Sequence, residues 1–81
     1  MSRPKRRDLI AKAISTQETE LDCLLEEYES WLEVLPENLQ ESALADKLQT
    51  TIDELEEVRS SLEDARDSLE SIDLPRGFGR D

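Results

Sequence analysis

The sequence predicts an all-α protein: an antiparallel two-helix hairpin of coiled-coil type, dimerising into a four-helix bundle. Two observations carry the fold: two long runs of apolar residues at alternating steps of three and four, and a proline-containing break between them. A third adds the dimer. Apolar residues flank both runs, and a single hairpin seam has no room for them.

The first run is Ile10, Ile14, Gln17, Leu21, Leu24, Tyr28, Trp31 and Leu35, with one polar entry at Gln17. Neither glycine nor proline interrupts it, so a helix is expected over about residues 8–35. The basic cluster Arg3-Pro4-Lys5-Arg6-Arg7 ahead of it reads as a separate arm, residues 1–7, because positive charge opposes the positive end of a helix dipole. Pro36 disfavours helical geometry at Leu35 and removes a backbone donor, which ends the helix there.

A loop follows over residues 36–42. Asn38 with Glu41 three residues on fits a capping box, and Ser42 is a second candidate cap, so the second helix is expected over about 43–73. Its run is Leu44, Leu48, Thr51, Leu55, Val58, Leu62, Ala65, Leu69 and Ile72. The hairpin domain therefore covers residues 8–74. Pro75 and the glycines beyond it leave residues 75–81 as a flexible tail.

So short a connection forces the helices antiparallel. The runs then pair layer by layer, with Leu35 on Leu44, Trp31 on Leu48, Tyr28 on Thr51, Leu24 on Leu55, and so on to Ile10 on Leu69. Leu25, Leu32, Ile52 and one side of Trp31 are left wet by this register. They are the expected self-association flank, and a second copy is the expected cover.

Composition limits the chemistry. The chain has 81 residues, no histidine and one cysteine, so neither an internal disulfide nor a helical Glu-x-x-His metal site can be built from it. No catalytic, cofactor-binding or metal residues are expected. Cys23 falls on an outer position among anions, which blunts a thiol as a nucleophile. Apolar stretches are too short for a membrane span or a secretory signal, and the expected setting is cytoplasmic.

Charge carries the strongest hint of a role. Residues 13–75 hold 19 acids against three bases. Spread over a rod of about 45 Å, that excess is one charge per about 2.8 Å, against about 1.7 Å for duplex DNA. Glu56, Glu57, Glu63, Asp64 and Glu70 form a continuous outer stripe on the second helix, with Asp22, Asp53 and Asp67 beside it. Direct contact of such a body with nucleic acid is disfavoured, whereas a protein with a basic nucleic-acid-binding surface suits it. Arg59 with Glu63 and Arg66 with Glu70 read as surface pairs one turn apart. Arg76, Phe78 and Arg80 in the tail form a candidate linear motif.

Trp31-Leu32, the string LPENLQESA and the terminal LPRGFGRD resemble those of short acidic helical proteins of bacteriophages and prophages, over about residues 28–81. The resemblance carries no assigned chemistry. It implies a setting in which small inhibitors of host nucleic-acid-handling machinery occur, anti-CRISPR and anti-restriction types among them. The functional expectation is a non-catalytic inhibitor that imitates nucleic acid on a host protein. The alternative is an adaptor coiled coil that binds through its apolar flank and tail.

Overall fold

The computed structural model describes residues 2–75. Two long helices, α1 (Arg3–Glu33) and α2 (Ala43–Ser71), pack along each other, joined through a short 3-10 turn at Glu37–Leu39. Arg76, Phe78 and Arg80, the candidate linear motif, lie outside the described residues, as does Met1.

Helix α1 starts five residues earlier than the sequence suggests. Ser2 caps it by accepting a hydrogen bond from the Lys5 backbone N–H at 3.3 Å, and Pro4 sits in the first turn, where its missing donor costs nothing. The basic arm is thus largely the first turn of a helix. Arg7 ties that turn to the far end of the hairpin, donating from Nη1 to the Ile72 carbonyl at 2.8 Å. A hydrogen bond there fixes the arm in place of the fraying that its charge favours.

At the other end α1 stops at Glu33, before Pro36, as the proline requires. Ser42 is the cap of α2, its hydroxyl accepting from the Ala45 N–H at 3.3 Å and donating to the Leu39 carbonyl. Asn38 belongs to the 3-10 turn and does not cap the helix. Gln40 closes the loop by donating its side-chain amide to the Leu35 carbonyl at 3.2 Å.

The seam is turned by one residue relative to the expected one. Positions 11, 14, 18, 21, 25, 28, 32 and 35 of the first strand of the hairpin are buried or half-buried, and on α2 so are 45, 48, 52, 55, 59, 62, 66 and 69. Every second expected position on each helix holds, Ile14, Leu21, Tyr28 and Leu35 on one side and Leu48, Leu55, Leu62 and Leu69 on the other, but each loses its expected partner. The intervening ones are replaced by their C-terminal neighbours. Leu35, Ala45 and Leu48 form the tightest cluster, with Tyr28 and Leu32 packed against it.

Two corrections follow from this turn. Leu25, Leu32 and Ile52, expected on an outer flank, are core residues, with Leu25 only 7% and Ile52 only 4% exposed. Ile10, Leu24, Leu44, Val58 and Ile72, expected inside, are open to solvent, as are Gln17 and Ala65, while Thr51 is half-buried. Trp31 remains 47% exposed and stacks on Tyr28, ring centroids 6.2 Å apart.

Candidate functional site

The turned seam places charge inside the hairpin. Glu18 is 4% exposed and is the one charged residue among the buried positions described. Its Oε2 accepts from Arg59 Nη1 at 2.8 Å, while Arg66 grips it with two donors, Nε to Oε1 and Nη2 to Oε2. Arg59 and Arg66 lie seven residues apart on α2 and straddle Leu62, so a carboxylate facing Leu62 meets both guanidinium groups. This geometry follows from two helical turns of spacing.

The arginines also reach outward. Arg59 Nε donates to Asp22 Oδ1 at 2.8 Å and Nη1 approaches Glu63 at 3.7 Å; Arg66 Nη1 lies 3.5 Å from both Asp67 and Glu70. Two cations thereby hold five carboxylates. The Arg66 hydrogen bonds, then the nearby charges of Arg66 and Arg59, keep the Glu18 carboxyl below its ordinary range despite burial. Arg59 is pushed up chiefly by its bond to Asp22, and Arg66 chiefly by its bond to Glu18.

One-turn spacing alone gives these arginines partners only on their own helix, Glu63 and Glu70, whereas here they also reach across to α1. Their spacing held the missed signal: Ile52, Leu55, Arg59, Leu62, Arg66 and Leu69 alternate steps of four and three as regularly as any leucine run. A guanidinium on a long aliphatic stem can occupy such a position when a carboxylate opposite receives it.

Around this axis the two flanks of the hairpin differ. On one, both helices contribute acids: a groove is lined by Glu26, Glu29 and Glu33 of α1 and by Gln49 and Glu56 of α2, with Leu32 and Ile52 at its floor. Asp22, Glu63 and Glu70 continue the same side past the ion network. In an antiparallel pair, residues that follow the seam on one helix lie beside the corresponding residues of the other, so this flank is continuous from end to end. All the stripe residues, Glu56, Glu57, Glu63, Asp64 and Glu70, are exposed. Glu63 and Glu70 are drawn toward the arginines, whereas Glu56, Glu57 and Asp64 have no cation partner among the ion pairs of the described residues.

The opposite flank is apolar along the rows next to the seam, with Glu20 and Glu27 of α1 outside them. Ile10, Gln17, Leu24 and Trp31 repeat every seven residues on α1, and Leu44, Thr51, Val58 and Ala65 do so on α2, with Ile72 just past its end. None of the nine is charged. A shallow groove on this side is lined by Gln17, Leu21 and Leu24 with Leu62 of α2, and Glu20 and Glu27 stand at its edge. Cys23 is free and exposed near it.

Among the described residues no group of three or more His, Cys, Asp or Glu could hold a metal ion, and no helix is long and apolar enough to cross a membrane. Neither a protein-family model, nor a curated protein, nor a solved structure matches the chain.

Proposed function

We propose that this protein is a non-catalytic binding module with two working faces: an acidic one that occupies a basic, nucleic-acid-binding surface of another protein, and an apolar one that joins two copies into a four-helix bundle. The observation that supports it is the separation of the two kinds of side chain by the seam. Acids scattered only for solubility have no reason to be absent from the row beside the seam on one flank of both helices, where Ile10, Gln17, Leu24, Trp31, Leu44, Thr51, Val58, Ala65 and Ile72 stand. Here they line one side of the seam on both helices, and the other side carries leucine, isoleucine, valine and tryptophan beside the seam, with Glu20 and Glu27 farther out.

Carboxylates at intervals of about 10.5 Å along a helix can pair with arginines and lysines that otherwise hold phosphates. Long-range attraction would speed encounter, and salt would weaken it. Glu56, Glu57 and Asp64, together with Glu26, Glu29 and Glu33, are the residues that bear this role. Glu63 and Glu70 contribute less, because Arg59 and Arg66 already draw on their charge. The apolar face favours a second reading, an adaptor that binds through Leu24, Trp31 and Val58 while the acids stay idle.

The experiment captures partners from cell lysate with tagged protein at low and high salt, then asks whether the chain displaces DNA or RNA from the captured protein. The triple variant Glu56→Lys, Glu57→Lys, Asp64→Lys is expected to lose both capture and displacement while its circular dichroism is unchanged. Retention of capture by that variant, with loss on Trp31→Ala, would select the adaptor reading instead.

A further inference from the structure

Resting on the self-association reading above, we infer that the two copies dock head-to-tail, the loop end of each hairpin lying beside the end of the other that carries its N-terminus. The occupant of the apolar face is a second copy of this chain. Net charge decides the first step: each copy carries −11, so docking is opposed wherever acids meet. The flank with Ile10, Leu24, Trp31, Leu44, Val58 and Ile72 is the one through which two rods can touch with only Glu20 and Glu27 at the rim of the contact and point their acidic flanks apart.

Orientation follows from two further features of the same face. The first is the unequal charge of the two ends. Residues 26–54, which make up the loop end, hold nine acids and one base, whereas residues 3–12 with 66–73 at the other end hold six bases and four acids. Docking with the loops together places the two most anionic segments side by side. The head-to-tail arrangement sets each against the basic first turns of the partner, where Arg6 shares the side of α1 that carries Ile10.

The second feature is size. Buried positions of the two helices match in order, Ala11 with Leu69 and Leu35 with Ala45 at the extremes, so heights along the rod can be compared directly. Leu24 and Val58 then stand side by side near mid-rod. A two-fold axis through them, perpendicular to the rod, brings Trp31 of one copy over the level of Ala65 and Ala13 of the other. The bulkiest side chain of the face thereby meets its smallest residues, as interdigitated packing requires. Loops together would instead crowd Trp31 against its own copy and leave the alanines facing each other across a gap.

The test uses the full chain carrying Cys23→Ser and Gln40→Cys, spin-labelled in the loop, with its mass followed by analytical ultracentrifugation. Head-to-tail docking separates the two labels by about 50 Å, from the rise per helical residue. Loops together bring them within about 20 Å, from helix spacing in a bundle. A dimer mass with the long distance is the expected result. A dimer mass with the short distance overturns the orientation and leaves self-association standing. A monomer mass at every concentration overturns both, and assigns the apolar face to a different protein. Ala65→Trp supplies an independent arm: it should weaken the head-to-tail dimer at least tenfold with helicity retained, and an unchanged dimer constant counts against the inference.

Discussion

Glu18 shows how one side chain sets the register of a whole hairpin. Only one rotation of α1 against α2 lets a single carboxylate take both Arg59 and Arg66, and any slip of the pairing strands two guanidinium groups against apolar neighbours. Glu18→Gln should therefore lower the thermal midpoint more than Glu57→Gln, which alters an exposed acid. The sign of the pH effect follows from the depressed carboxyl: its contribution is fully present above the unfolded value near 4.5 and is lost as pH falls through the lower folded value. Thermal melts between pH 7 and pH 3 should show wild type and Glu18→Gln converging at the acid end. Replacing the whole group, with Glu18→Leu, Arg59→Met and Arg66→Met, should leave the midpoint equal or higher. The loss would be of a single register, read as doubled amide signals by NMR, because apolar residues pack in more than one alignment.

Helix by helix, caps and seam divide the stabilising work. Ser42→Ala removes the acceptor for the Ala45 N–H and should cost about 1 kcal/mol in urea unfolding. Leu48→Ala empties a position only 3% exposed, inside the cluster with Leu35 and Ala45, and should cost about 2–5 kcal/mol. Val58→Ala, on a residue 51% exposed, should change the unfolding of dilute protein little. Both helices, the break at Pro36 and the antiparallel pairing were legible in the sequence, since a repeat of seven and a proline are local signals. The rotation was not. Ile10, Leu24 and Trp31 match the period as well as Ala11, Leu25 and Leu32 do, and counting apolar residues favours the wrong row. What decides is the cost of leaving Arg59 and Arg66 without Glu18, a term that joins residues 41 and 48 apart in the chain. The early start of α1 was hidden similarly: Arg7 is held by a carbonyl at Ile72, and nothing near Arg7 in sequence announces it.

Across the molecule, the seam acts as a partition. The acidic stripe was legible residue by residue, yet its extension onto α1 through Glu26, Glu29 and Glu33 depends on which side of the seam those residues fall. So does the apolar face, which came out on the side opposite to the expected flank. Everything proposed for function rests on that partition, and adjacent residues report it. In a Cys23→Ser background, single variants Leu24→Cys, Leu25→Cys, Leu44→Cys and Ala45→Cys are exposed to a thiol-alkylating reagent in dilute solution, and their rates are compared with those of the same variants in urea. Fast labelling is expected at 24 and 44 and strong protection at 25 and 45. Protection at 24 and 44 with fast labelling at 25 and 45 would contradict that partition.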